Sequence, residues 1–256
     1  MSWLSDLFAS DLRPRQREER RRVLRSAAIG AFVVLGALGG YLPIVMKWRE
    51  RLRPPGALAE AEFLSACIKC GQCLQVCPVK AIRLGDSLDG YGLGAPYISP
   101  RGQACDFSCD VVQCVLACPT GALAHETTKK EQTRMGLARL AAPQACLARQ
   151  GKGFKGAARG AAFAGKHRYA EIDRWRPIAI ADHPYDLESC DLCVRECPIT
   201  GAISMQPLSA DPTEKRRTPV VHQACVGCGL CEMMCPAEPA AIVVDIRALW
   251  PDVGGA

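Results

Sequence analysis

Aromatic residues are scarce in this chain of 256 residues: Phe, Trp and Tyr together make up 6% of it. Large rings dominate core energetics, so their scarcity limits the apolar core and leaves many short loops to be held by something else. Histidine is scarcer still. His125, His167, His183 and His222 stand at no ligand-like spacing and read as surface residues. There is no nucleophile–base pairing, no glycine-rich phosphate loop and no substrate motif, so no catalytic residue is nominated and the chain does not read as an enzyme. Excess positive charge is missing from the body as well. Residues 54–256 hold 21 Lys/Arg and 21 Asp/Glu, and the formal +6 resides wholly in residues 1–53. A nucleic-acid-binding body carries a basic stripe, and this one has no surplus from which to build it.

Charge of either sign is absent from Ser26 to Met46, a run of 21 residues. That length spans a hydrocarbon core as a helix. Seven arginines precede it (Arg13, Arg15, Arg17, Arg20, Arg21, Arg22, Arg25), and Lys47, Arg49, Arg51 and Arg53 follow. The larger excess lies upstream, which keeps the N-terminus cytoplasmic and sends the rest across. Arg20-Arg21-Arg22-Val23-Leu24-Arg25 resembles a twin-arginine export signal directly before the apolar run. The plainer alternative is that these arginines only orient a membrane helix. Ala37-Leu38-Gly39 matches a signal-peptidase site poorly, and the apolar run continues past it. A retained anchor is therefore expected over a cleaved signal.

Cysteine is what the chain has in abundance, 16 in all, and the cysteines repeat. Motif one is Cys67-x2-Cys70-x2-Cys73-x3-Cys77-Pro78, and motif four copies it as Cys225-x2-Cys228-x2-Cys231-x3-Cys235-Pro236. Motif two is looser, Cys105-x3-Cys109-x4-Cys114-x3-Cys118-Pro119. Motif three has only a compact end, Cys190-x2-Cys193-x3-Cys197-Pro198. Its first member is found by context. Ala precedes Cys67, Cys105 and Cys225, and Gln144-Ala145-Cys146 repeats that setting at the one cysteine left over. The step from Cys118 to Cys146 is 28 positions, the same as from Cys77 to Cys105 and from Cys197 to Cys225.

Ala81-Ile82, Ala122-Leu123, Ala202-Ile203 and Ala241-Ile242 follow the four Cys-Pro pairs. They predict short strands, with a half-turn of helix starting at each Cys-Pro. Strand, cysteine loop, short helix, strand is the bacterial ferredoxin repeat. Three cysteines at x2 spacing wrap three corners of a cubane, and a fourth before Pro ligates the neighbouring cluster. Gly71, Gly227 and Gly229 let the backbone approach the sulfides. An exported disulfide scaffold or zinc sites built on C-x2-C pairs would explain an even cysteine count. Neither needs three cysteines in series with Pro after the fourth. All sixteen cysteines are therefore the candidate ligands of four [4Fe–4S] clusters, and metal binding supplies the folding energy that the aromatics do not.

With these residues in hand, the chain resembles the NapG/MauM-type ferredoxins, exported polyferredoxins of periplasmic nitrate reduction and methylamine oxidation. The resemblance covers about residues 51–247 and includes Arg51-Leu52-Arg53-Pro54-Pro55-Gly56-Ala57-Leu58 and Arg134-Met135-Gly136-Leu137-Ala138. It implies an electron relay on the periplasmic side of the inner membrane, between a quinol-oxidising membrane ferredoxin-type partner and a periplasmic cytochrome or reductase. It departs from the family in the longer motif-two gap and in the long segment between Cys146 and Cys190. Within that segment, residues 147–181 hold eight Lys/Arg against Glu171 and Asp173. They read either as a basic loop that guides docking to an acidic partner or anionic lipid, or as a solvated mobile loop. Trp175 there reads equally as an interface or a core residue.

The expected architecture is α+β, with two double-cluster ferredoxin modules behind an N-terminal transmembrane or signal helix, residues 1–53. Motifs one and four match in spacing while two and three are both irregular, which predicts nested pairing. One module would be 54–104 with 198–247, and the inner one 105–197, followed by a tail 248–256. Crossed ligation then gives the sets Cys67, Cys70, Cys73, Cys235 and Cys225, Cys228, Cys231, Cys77. The inner sets are Cys105, Cys109, Cys114, Cys197 and Cys146, Cys190, Cys193, Cys118. The same cysteine count also suits the four-cluster subunit of a molybdopterin oxidoreductase, or a maturation factor for a periplasmic redox enzyme. The export reading is checked by replacing Arg20 and Arg21 with Lys. Cluster-loaded protein should then stay in the cytoplasmic fraction, and normal periplasmic arrival would leave the arginines a purely topological role.

Overall fold

The computed structural model describes residues 14–46, 51–86, 92–109, 111–169, 171–173, 176–211 and 213–246. Trp175, the tail 248–256, Lys47 and Arg49 lie outside them. The N-terminal unit is one helix, α1 (Pro14–Met46), of 33 residues. Pro14 opens it, where a missing N–H costs nothing. At about 1.5 Å per residue it is roughly 50 Å long. Within it, Arg17–Gly40 is long and apolar enough to cross a membrane. Phe32, Val33 and Leu35 are exposed, and an added Cβ at Gly30, Gly36, Gly39 or Gly40 would meet nothing within 4 Å. Apolar residues face outward all round, unlike the single stripe of a helix docked on a core.

The second unit holds all the cysteines. It opens with a segment that closes on two later ones. Leu52 bridges Ile98, and Ala57 bridges Leu123. Arg53 is buried, donating from Nε and Nη2 to Glu60 at 2.9 and 2.5 Å and from Nη1 to Pro96 O at 2.9 Å. Its guanidinium also lies 5.0 Å from the ring centroid of Phe63, the fully buried residue of α2 (Glu60–Ala66). Burying a guanidinium this way is tolerable because it is both paired and hydrogen-bonded.

After motif one's helix α3 (Gln72–Gln75), strands β1 (Ile82–Leu84) and β2 (Pro96–Ile98) form an antiparallel hairpin, with Ile82 opposite Ile98. Helix α4 (Gln113–Leu116) belongs to motif two. Strand β3 (Gly136–Leu140) pairs antiparallel with the last strand, β10 (Ile242–Ile246). Between them lie α5 (Leu192–Arg195), the hairpin of β8 (Ile203–Pro207) with β9 (Arg217–Val221), and α6 (Leu230–Met234). Gly136 shows why β3 takes no larger residue. A Cβ there would come 2.1 Å from Asp245 O, and one on Gly227, at φ +72°, would strike Gly136 itself. The Gly136-Gly227 contact lets Met135 N–H reach Val226 O at 3.0 Å, clamping β3 onto the motif-four loop.

Two expectations are corrected here. The short helices do not start at Cys-Pro; each ends before it, running through the third cysteine of its motif. Proline disfavours helical backbone in the residue before it, and Cys235 is accordingly extended, at ψ 119°. The insertion 147–181 is not a solvated loop either. Strand β4 (Phe154–Ala157) pairs with β7 (Pro184–Leu187), and β5 (Lys166–His167) pairs with β6 (Ile178–Ala179). Ala158, His167, Tyr169 and Ile180 are buried among these elements. Its cations are partly used internally: Lys155 pairs with Asp186, and Arg159 donates to Arg101 O.

Arg101, just past β2, reaches the end of α6. Nη1 donates to Glu232 O and Cys235 O, both at 2.8 Å, and Nη2 to Ala237 O at 2.7 Å and Glu238 Oε2 at 2.8 Å. One fork thus supplies donors to Cys235 O and Ala237 O at the helix's Cys-Pro exit, and a second donor to Glu232 O, which already accepts Cys235 N–H at 3.3 Å. Arg101→Ala should destabilise the fold by roughly 2 kcal/mol, seen as a lower urea midpoint by circular dichroism. Arg101→Lys should recover only part, since an ammonium has no planar fork.

Candidate metal centres

All sixteen cysteines are free thiols, and only Cys70 is exposed. They gather in four sets. One space of about 390 Å³ is lined by Cys146, Cys190, Cys193 and Cys235, walled by apolar residues such as Leu140, Leu192 and Met205. Another of about 280 Å³ is lined by Cys197, Cys225, Cys228 and Cys231, with Ala138, Ile203 and Val226 around them. The other two sets are traced by mutual electrostatics. Cys73 responds to Cys67, Cys70 and Cys118, and Cys114 responds first to Cys109, then Cys77 and Cys73.

The nested pairing is therefore wrong. Cys77 falls beside Cys109 and Cys114 rather than with motif four, and Cys235 falls with motif three. Motif one shares its fourth cysteine with motif two, and motif three with motif four. The physical reason is the hairpin after each odd motif. Strands β1–β2 and β8–β9 turn the chain back at once, so the cysteine 28 residues on returns beside the one it left. Nesting would place Cys77 opposite Cys225, 148 positions away. That longer closure costs only roughly 1.5 kcal/mol more on logarithmic scaling, so the hairpin decides and loop entropy merely agrees.

Three of the four fourth-position cysteines share one local device. Ala81 N–H donates to Cys77 Sγ at 3.3 Å, Ala241 N–H to Cys235 Sγ at 3.3 Å, and Leu123 N–H to Cys118 Sγ at 3.5 Å. The repeated alanine supplies the donor at Cys77 and Cys235, and Ala81, Ala122, Ala202 and Ala241 are all buried. At Cys118, burial pushes the thiol up, but N–H groups of Leu123 and Thr120 outweigh it and the thiol ends below its ordinary value. Elsewhere burial wins. It pushes Cys73 and Cys190 up to about 11 and Cys228 to about 12, and carries Cys105, Cys114, Cys193 and Cys231 well above the ordinary thiol value. After burial, the neighbouring thiols are the main further cause for Cys73, Cys105, Cys114, Cys193 and Cys231.

Four thiols held around an apolar space, some of them pushed up by burial and by one another, fit a multi-iron cationic core. Such a core binds the thiolate form and removes the repulsion. Among the described residues no three His, Cys, Asp or Glu side chains converge on one ion-sized point. A cubane needs no such point, because each thiolate meets a different iron.

Gly71, Gly227 and Gly229 all have positive φ, as cysteine-loop turns require, but Gly227 and Gly229 also pack on Gly136 and Pro100. Three residues escaped the sequence reading. His167, read there as a surface residue, is buried, with Nε2 3.1 Å from Glu196 Oε2 and Nδ1 3.5 Å from Asp106 Oδ2. The second distance is an ion pair rather than a hydrogen bond. Burial pulls the imidazole down, but Asp106 and Glu196 together raise it to about 9, so it is charged at neutral pH. Asp106 is held low by the same contact and by Ser108, against its own burial. The available signal was an acid directly beside Cys105 and another directly beside Cys197, each needing a counter-charge.

Comparison with known proteins bears on these centres. A 4Fe-4S dicluster domain model matches residues 66–147 and 188–238. The methylamine utilization ferredoxin-type protein MauM of Paracoccus denitrificans is 34% identical over 89% of this chain and 84% of its own. The ferredoxin-type protein NapG of Escherichia coli is 35% identical over 88% and 84%. A second MauM, of Methylobacillus flagellatus, is 35% identical over 80% and 72%. No solved structure matches. Cys77→Ser should perturb one iron–sulfur EPR signal, and Cys109→Ser should perturb that same signal. If Cys77→Ser instead altered the signal that Cys225→Ser alters, the grouping would be refuted.

Proposed function

The chain belongs to the NapG/MauM ferredoxin-type family and is an iron–sulfur electron-transfer protein, and we propose that it holds four [4Fe–4S] clusters in two double-cluster modules and relays electrons outside the cytoplasmic membrane. The observation that carries this reading is the pair of four-cysteine spaces, each taking three thiols from one motif and one from its neighbour. That exchange is the ligation habit of two-cluster ferredoxins.

The first module runs through motifs one and two, closed by the Ala57–Leu123 bridge, and the second from β3 to β10. The proposed ligand sets are Cys67, Cys70, Cys73, Cys118 and Cys77, Cys105, Cys109, Cys114 in the first. In the second they are Cys146, Cys190, Cys193, Cys235 and Cys197, Cys225, Cys228, Cys231. Bound there, each cluster supplies a one-electron carrier that neither gains nor loses a proton. The chain's own residues do the rest. Apolar walls exclude water from the second module, and N–H groups of Ala81, Leu123 and Ala241 direct positive charge at three of the fourth-position sulfurs. Cys70 and the exposed Ile68 open the first site to the surface, where an outside redox partner comes closest.

The apolar helix with its upstream arginines supports the rest of the reading. The protein is exported folded by a twin-arginine route, stays anchored, and passes electrons between a quinol-oxidising membrane partner and a periplasmic cytochrome or reductase. Anaerobic analysis should find about 16 iron and 16 acid-labile sulfide per chain, four of each per cluster. An EPR-monitored redox titration should resolve four one-electron centres. Iron near eight would remove two of the sites, and reduced quinol failing to reduce the clusters in membranes would remove the relay role.

A further inference from the structure

The insertion 147–181 lies where the two groups of motifs meet. Cys105 N–H donates to Cys228 O at 3.2 Å, so the backbones of two different ligand sets touch directly. Strand β5 is laid along this junction, and three consecutive residues grip it. Lys166 exchanges a pair of hydrogen bonds with the buried Gln103 amide, at 2.8 and 2.9 Å. Arg168 N–H donates to Asp106 Oδ2 at 3.0 Å. Between them His167 reaches both ways, to Asp106 beside Cys105 and to Glu196 beside Cys197. Side-chain exposure is 9% for His167, 1% for Asp106 and 11% for Glu196, so these charges are screened mainly by one another.

Both carboxylates are held on their far sides. Asp106 Oδ1 accepts Ser108 N–H at 2.9 Å, and Glu196 Oε1 accepts Tyr185 O–H at 3.0 Å. The Tyr169 hydroxyl donates in turn to the Tyr185 hydroxyl oxygen at 3.2 Å, and the Tyr169 ring stacks on His183 at 3.9 Å between centroids. This aromatic cluster comes from the insertion and from residues 183–185 around the start of β7, and it fixes where His167 stands. A loop meant only to cover surface needs no buried cation tied to the neighbours of two ligand cysteines.

We propose that His167 is the positioning residue for electron transfer between the two modules, bridging Asp106 and Glu196 so that the Cys77–Cys105–Cys109–Cys114 and Cys197–Cys225–Cys228–Cys231 sites adjoin at a fixed separation and electrostatic level. This rests on the four-cluster reading. The step it serves moves one electron from the reduced site to its oxidised neighbour, with no bond made or broken and no proton moved. The relay then runs through the sites in the order one, two, four, three of their motifs, which is not chain order. A cation between two anionic sites favours the electron on either of them, and removing it disfavours both.

The test uses the full chain, purified anaerobically, with iron content and EPR potentiometry as readouts. His167→Gln should keep the iron content of the unmutated protein, lower the reduction potentials of two centres, and leave the other two in place. Glu196→Gln, which removes an anion instead, should raise the potential of one centre. Opposite signs from two neighbouring substitutions are not what a general loosening of the fold produces. Potentials unmoved in both variants, or all four centres moving alike, would overturn the proposal, as would loss of clusters in both. If His167→Gln alone loses clusters, the Glu196→Gln shift decides. A count well below 16 iron in the unmutated protein strikes at the four-cluster reading itself.

Discussion

Everything in the second unit answers to one constraint: sixteen thiols are brought together, many of them buried against one another. Burial and mutual repulsion push most of those with a resolved shift far above the ordinary thiol range. A cationic iron–sulfur core reverses the sign of that problem, because each thiolate then binds metal instead of facing its neighbours. The secondary structure is correspondingly slight. Strands of two to five residues and helices of four or five around the cysteines are too short to be stable alone. They serve to aim sulfurs and N–H groups, and the bonds to metal supply the cohesion that larger elements supply elsewhere.

Cysteine spacing is a direct image of cubane geometry, which is why the candidate ligands could be nominated from the sequence. Even Cys146, stranded 44 positions before Cys190, was found from Gln-Ala-Cys and the 28-residue interval, and the structure puts it on the wall of a four-cysteine space. Pairing was misread because likeness of spacing was taken for spatial partnership. Spacing within a motif is set by its own cluster. Partnership is set by the hairpin that leaves it, and the interval of 28 residues between Cys77 and Cys105, and between Cys197 and Cys225, already contained that hairpin. The same interval from Cys118 to Cys146 contains no such hairpin: its strand β3 pairs forward with β10 instead.

The position of the helices and the packing of the insertion depart from expectation for different physical reasons. A proline after the fourth cysteine was taken to start a helix, but the cysteine before it is already barred from helical backbone, so the helix must end first. In the insertion, a surplus of Lys and Arg with Gly and Ala looked like solvated chain. Composition hides a packed unit when its core is made of few residues: Tyr169, Tyr185, Ile180 and Ala158 suffice, and the partners of its cations, Asp186 for Lys155 and Arg101 O for Arg159, are non-local.

That insertion bears on how a relay of paired modules is joined. Within each group of motifs the fold sets the fourth cysteine of one motif beside the thiols of its neighbour, as in the two four-cysteine spaces of the second group. Between groups no cysteine crosses, so the contact depends on ordinary protein forces. The Cys105–Cys228 backbone hydrogen bond, the Arg101 fork on the end of α6 and the Lys130 ammonium on Pro198 O at 2.7 Å are the direct ties. Each is a hydrogen bond that a small rigid-body shift would lengthen. A buried cation set between two carboxylates resists such a shift more strongly, because either carboxylate left alone would be a buried unpaired charge. The junction is thereby held by electrostatics at the one place in this unit where covalent ligation cannot hold it.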